Sequence, residues 1–154
     1  MKKAASIFIP VFICLLIGWL ASYFQAESIR SWYPFLNKSA WTPPNAIFPV
    51  AWGIIYVCMG VSAGLVFLSD AKNRNFLLAL FAVQLFFNFI WSLLFFYYRS
   101  PLLGFADILL LDILVSIYTV KSYKASKTAA FLFIPYMAWI YFASYLNGYI
   151  LICN

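Results

Sequence analysis

Five stretches of apolar residues dominate the chain: Ile7–Gln25, Pro44–Ser69, Phe76–Tyr98, Leu102–Ser122 and Thr128–Ile152. Each comes close to the roughly 20 residues an α-helix needs to cross a hydrocarbon core. A longer polar segment, residues 26–43, separates the first stretch from the second. The remaining connectors, Asp70–Asn75, Arg99–Pro101 and Lys121–Lys127, are short. Short connectors make consecutive helices antiparallel neighbours. The pattern predicts an all-α membrane protein with a single transmembrane domain over residues 1–154. Its five helices are expected at about 7–25, 44–69, 76–98, 102–122 and 128–149, with the 26–43 loop as a candidate lid.

Composition strengthens this reading. Of 154 residues, 66% are hydrophobic and 9% charged. Soluble domains run near roughly 45–50% apolar and about 25% charged, and no single water-soluble core of this length would hide the difference. Lipid removes the problem, so an integral membrane protein is expected. Aromatic residues make up 22% of the chain, more than interfacial belts require, so some rings are expected to line an interior. The net charge of +6 would raise nucleic acid as a partner in a soluble protein. Here the basic residues lie between apolar runs, as in membrane loops, and no nucleic-acid role is expected.

The same residues give an orientation. Lys2, Lys3, Lys72, Arg74, Lys121, Lys124 and Lys127 fall on one side, and Arg30, Lys38 and Arg99 on the other. The excess places the N-terminus in the cytoplasm. Lys2 and Lys3 before an apolar stretch mimic a signal peptide, but Ile7–Tyr23 is long for one and no A-x-A site follows. A retained first helix is the preferred reading. An odd number of helices without a visible repeat argues against an inverted-repeat transporter.

Proline marks the helices at Pro10, Pro49 and Pro135, where kinks are expected. Gly60 and Gly64 form a GxxxG pair, which serves either a dimer contact or packing inside the chain. Cys14, Cys58 and Cys153 lie far apart without CxxC spacing and read as small hydrophobes rather than a disulfide or metal set. The chain has no histidine, which removes the commonest metal ligand and the usual general base. No metal site is expected, and no GxSxG, P-loop, HExxH or dinucleotide fingerprint is present.

Polar and tryptophan residues converge in depth. Trp52, Asn88, Trp91, Asp107 and Trp139 all lie within about ten residues of the first-loop end of their helices, hence in one leaflet. Gln84, Asn88, Trp91 and Phe95 follow one helical stripe, and Pro135, Trp139, Ala143 and Leu146 another. Amides are costly against lipid tails, so these stripes face the bundle interior. They are either hydrogen-bonded seams between helices or the walls of an aromatic ligand pocket. Asp107 and Asp112 are the only acids within apolar runs. They lie about 140° apart around the helix and form no couple on one face. Asp107 either reaches the interface or pairs with Arg99, and Asp112 lies deeper; structural pairing is the first reading and proton handling the second. The loop adds aromatics and stiff prolines in Ser31-Trp32-Tyr33-Pro34 and Trp41-Thr42-Pro43-Pro44.

Three segments, in order, resemble the translocator protein family, also called tryptophan-rich sensory proteins or peripheral-type benzodiazepine receptors. They are Trp41-Thr42-Pro43-Pro44 with Phe48-Pro49-Val50-Ala51-Trp52; Gln84-Leu85 with Asn88, Trp91-Ser92 and Phe95-Phe96; and Pro135-Tyr136-Met137-Ala138-Trp139 with Phe142-Ala143 and Leu146-Asn147. The resemblance implies a five-helix bundle, often a homodimer, with a loop lid over a pocket in one leaflet. It implies ligands such as protoporphyrin IX and isoquinoline carboxamides, and no required cofactor. The pocket residues it carries over are Tyr33, Phe48, Trp52, Asn88, Trp91, Trp139, Ala143 and Leu146. It also implies that Trp52 and Trp139 would carry any light-dependent porphyrin degradation. The expected function is a membrane receptor or sensor for porphyrin-like tetrapyrroles, not a conventional enzyme. The alternative is a carrier of porphyrins or other small hydrophobic ligands. The chain departs from the animal members' sterol motif, because no Lys or Arg follows Tyr149.

Overall fold

The structure, a computed structural model, describes residues 2–154. It contains five long helices: α1 (Lys2–Ser31), α2 (Ile47–Phe67), α3 (Arg74–Ser92), α4 (Pro101–Ser122) and α5 (Lys127–Cys153). A π-helical turn, Leu93–Tyr97, continues α3, and a single 3-10 turn, Tyr33–Phe35, sits in the first loop. All five helices are long and apolar enough to cross a membrane, and no strand occurs among the described residues. The five-helix fold read from the apolar runs is the fold observed.

Several boundaries differ from the sequence expectation, each for a local reason. α1 runs on to Ser31 instead of stopping at Gln25, so the loop begins later than residue 26. The extension leaves the apolar run but keeps one buried position, Ser28, which donates to the carbonyl of Phe96. α2 begins at Ile47, not Pro44, and Ile47 donates its N–H to the Pro44 carbonyl. Pro49 therefore lies in the first turn, where a missing N–H costs nothing and no kink follows. Pro10 and Pro135 lie inside α1 and α5. α5 continues past residue 149 to Cys153, as its apolar run allows.

The helix starts at α4 and α5 are hydroxyl-capped. Ser100 accepts from the N–H of Leu103, with Pro101 at the first helical position, and Ser126 accepts from Ala129. Arg99, in the tight turn before α4, has φ 53°, the left-handed region that side chains rarely adopt. Its guanidinium holds the turn there by bonding Glu27 (2.9 Å), Ser28 and Ser31 of α1. Asp107 is not its partner, contrary to the pairing expected.

α1 packs on α2, α2 on α5, α5 on α4 and α4 on α3. The GxxxG pair is used inside the chain. A Cβ at Gly60 would lie 2.4 Å from Val11 Cα, and one at Gly64 2.7 Å from the Ser6 carbonyl oxygen. Backbone meets backbone there, which only glycine permits. This lysine-side half of the bundle is solid: Met59, Val66, Leu77, Val115, Tyr118 and Phe133 are fully buried. Ser62 ties α2 to α5 by donating to the Ala129 carbonyl at 2.8 Å.

Candidate functional site: an aromatic cavity under the first loop

In the loop-side half the same helices stand apart around a cavity of about 420 Å³. That is within the range of roughly 300–1,000 Å³ typical of small-molecule sites. Its walls come from α1, α2, the end of α3 with its π-helical turn, and α5. Tyr33, Phe48, Trp52, Asn88, Trp91, Trp139, Ala143 and Leu146 all line it. The depth convergence read from the sequence is thus a convergence in space. Asp107 and Asp112 do not line it, and no charged side chain among the described residues does.

The tryptophans are held in fixed relative attitudes. Trp52 stacks on Tyr56 at 5.4 Å and 28°, as expected for residues one turn apart on α2. Trp139 of α5 meets Trp52 edge to face, at 82° with centroids 6.5 Å apart. Phe48 meets the other edge of Trp139 at 5.8 Å. Among the described residues neither indole N–H of this pair engages an acceptor, so both are donors available to a ligand. Trp91 differs: its Nε1 donates to Asn147 Oδ1 at 3.1 Å, and its ring stacks on Phe95 at 5.2 Å and 9°. Trp91 is fixed wall.

Asn88 is also committed. Tyr56 donates its hydroxyl to Asn88 Oδ1 at 2.9 Å, and Asn88 Nδ2 donates to the Tyr136 hydroxyl at 3.1 Å. One amide therefore joins α2, α3 and α5 across the cavity floor. A buried amide satisfied in this way rigidifies its surroundings. The stripe that contains it splits in use: Asn88, Trp91 and Phe95 face the cavity, whereas Gln84 is fully buried in the core with neither amide atom paired. Asn88 thus fits both readings of the polar stripe, a hydrogen-bonded seam and a cavity wall, and the unpaired Gln84 fits neither.

The π-helical turn explains a second wall. With an extra residue in the turn, consecutive Phe95 and Phe96 both point inward and are buried. Tyr33 of the loop packs on them, 5.6 Å from Phe96 and 6.5 Å from Phe95. Burial pushes the Tyr33 phenol above its ordinary pKa, so it stays neutral. The loop is tied down further on. Asn37 N–H donates to Asn154 Oδ1 at 2.9 Å, Asn37 Nδ2 to the Cys153 carbonyl at 3.0 Å, and Ser39 pairs with the Tyr145 hydroxyl at 2.9 Å. Lys38 spends its three N–H groups on the carbonyls of Tyr33, Pro34 and Leu36. Trp41, in the proline-rich segment, is 76% exposed and does not reach the cavity.

Sequence reasoning missed the contribution of α1. Gly18, Trp19, Ser22 and Gln25 line the cavity, and Gln25 Nε2 donates to Ser92 at 2.7 Å. The signal was there: Gly18, Ser22 and Gln25 follow i, i+4 and i+7, one stripe of α1. Tyr56 and Asn147 were legible as positions one turn beyond Trp52 and Ala143. The two acids stand elsewhere. Asp107 is buried with Oδ2 unpartnered, and Asp112 accepts from Ser144 at 2.7 Å. No three His, Cys, Asp or Glu side chains come together among the described residues.

The profile of the TspO/MBR family matches residues 10–152. The tryptophan-rich protein TspO of Archaeoglobus fulgidus is 41% identical over 140 residues, 91% of each chain. That of Chlorobaculum tepidum is 36% identical over 155 residues, 99% of this chain and 98% of its own. The translocator protein of Ovis aries is 35% identical over 134 residues, 84% of this chain and 79% of its own. The chain belongs to the TspO/MBR family and is an integral membrane protein.

Proposed function

We propose that this family member is a membrane receptor or sensor for flat, porphyrin-like tetrapyrroles such as protoporphyrin IX. Isoquinoline-carboxamide ligands would use the same cavity. The observation that carries the reading is the perpendicular pair Trp52 and Trp139, whose indole N–H groups are unclaimed in an uncharged aromatic cavity. Flat rings gain from edge-to-face and stacked contact with such walls, and ring nitrogens or a carboxamide oxygen would accept from the free indoles. The absence of charge among the lining residues favours the macrocycle itself and leaves its acid groups at the mouth, in the headgroup layer. No imidazole is present to ligate a haem iron, so a metal-free tetrapyrrole fits better.

Titration of tryptophan fluorescence with protoporphyrin IX tests this. Wild type should quench saturably. Trp52→Phe with Trp139→Phe should weaken affinity at least about tenfold, or ~1.4 kcal/mol; unchanged affinity would sink the assignment. Light-dependent degradation of the bound porphyrin would be a side activity of the same two indoles, read as a new absorbing product on illumination with oxygen.

A proton-coupled carrier is the weaker reading, because neither Asp107 nor Asp112 lines the cavity. We also place the N-terminus in the cytoplasm, on the seven-to-three imbalance of basic residues. A homodimer, if formed, uses a face other than Gly60 and Gly64, which α1 covers.

A further inference from the structure

We infer that the cavity opens sideways into the bilayer between α1 and α2, and that an acyl chain of a phospholipid from the first-loop leaflet occupies it whenever no other ligand does. The inference deepens the receptor reading only in taking the same cavity as the ligand site.

The opening follows from how α1 and α2 are joined. On the lysine side the two helices touch through Gly64 at Ser6 and Ile7 and through Gly60 at Val11. One step toward the loop, the Tyr56 ring fills the space beside Gly18, 2.3 Å from where a Cβ would stand. One turn nearer the loop on α2, a Cβ on Gly53 would meet nothing within 4 Å, although Gly53 lines the cavity. Opposite it, Trp19 and Leu15 of α1 also line the cavity, yet they are 64% and 41% exposed. A side chain that belongs both to the cavity wall and to the outer surface marks the rim of an aperture.

Depth decides what fills it. Trp19 lies twelve residues before the end of α1, about 18 Å along the axis at ~1.5 Å per residue. That is within a hydrocarbon core of about 30 Å. The surrounding medium at the aperture is therefore acyl chain, not water. An apolar space of about 420 Å³ continuous with that medium does not stay void, because unfilled space forfeits dispersion contacts on every wall. A phospholipid chain can enter without its headgroup leaving the interface, and no charged residue opposes it. Any larger ligand then displaces a lipid chain, so its apparent affinity depends on the acyl composition of the membrane.

The test needs no porphyrin. The full chain carrying Trp19→Phe, Trp32→Phe and Trp41→Phe retains Trp52, Trp91 and Trp139 as reporters around the cavity. It is placed in nanodiscs of phosphatidylcholine, either unmodified or brominated at the middle of one acyl chain, since bromine quenches indole on contact. The expected result is loss of the larger part of the fluorescence in the brominated discs. Adding Gly53→Leu, whose Cβ has no atom within 4 Å and whose side chain adds bulk to the cavity wall, should restore most of it. Equal fluorescence in both discs, or quenching undiminished by Gly53→Leu, overturns the inference. Bromolipid quenching without porphyrin binding would overturn the receptor reading and leave this one standing; porphyrin binding without bromolipid quenching would do the reverse.

Discussion

The two halves of the bundle are built from the same helices and the same kinds of residue, yet one is a seal and the other a receptacle. On the lysine side, Gly60 and Gly64 bring the backbones of α1 and α2 into contact, and rings such as Tyr118 and Phe133 interlock at 4.2 Å. On the loop side, rings of similar size pack in pairs, such as Trp52 on Tyr56 and Trp91 on Phe95, around an open space of about 420 Å³. Aromatic content alone does not distinguish the halves. What differs is where small residues permit backbone approach and where polar groups bond each ring to a fixed attitude. Asn88 and Asn147 act as spacers: each bonds two partners across the cavity wall and so holds walls apart as well as together.

The glycines offer the largest test of that contrast. Gly60→Leu drives a side chain into the backbone of Val11. Overpacking against backbone should cost about 3 kcal/mol or more, and thermal unfolding in detergent should show a protein that melts much earlier or fails to assemble. Gly53→Ala, two turns away on the same helix, meets nothing within 4 Å. There the loss of backbone freedom in the unfolded chain should leave stability unchanged or raise it by up to about 1 kcal/mol. Equal destabilisation by the two changes would erase the distinction between seal and receptacle.

A smaller effect is expected at the cavity floor. Tyr136→Phe removes the hydroxyl that accepts from Asn88 Nδ2 and leaves a buried N–H unpaired. The cost should be about 1–3 kcal/mol. If Asn88 is a spacer, the same variant should also loosen the cavity and weaken ligand affinity, although Tyr136 does not line it. A melting shift without any change in ligand affinity would make this network part of the seal alone.

The halves were not equally legible in the sequence. Helix number and order were, because apolar length against bilayer thickness leaves little freedom. The site residues were, in part, because Asn88, Trp91 and Trp139 on lipid-length helices have no favourable place except inside. The π-helical turn was not: one extra residue in a turn has no compositional mark, so Phe96 stood outside the stripe that holds Phe95. The end of α1 was hidden for a related reason. Ala26–Ser31 is polar enough to read as loop, and only tertiary partners, Phe96 for Ser28 and Arg99 for Glu27, show that it stays helical. The role of Gly53 was invisible, since an open surround and a crowded one look alike in sequence.

The first loop gives the smallest stability effect and the sharpest local one. Asn37 is exposed, and its bonds to Asn154 and Cys153 compete with water. Each such bond nets only about 0.5–1 kcal/mol, so Asn37→Ala should barely move the melting temperature. The loop's other anchors, Tyr33 on Phe96 and Ser39 on Tyr145, remain. Of the three bonds from Asn37 to the end of α5, only Nδ2 to the Cys153 carbonyl would be lost, the two main-chain bonds to Asn154 remaining, and amide exchange over residues 32–46 should rise modestly while exchange in α2 to α5 stays unchanged. A bound ligand covered by this loop should also dissociate faster, with its association rate little altered. If exchange rises but dissociation does not, the loop is a cap on the helix ends and the lateral aperture between α1 and α2 is the route that governs release.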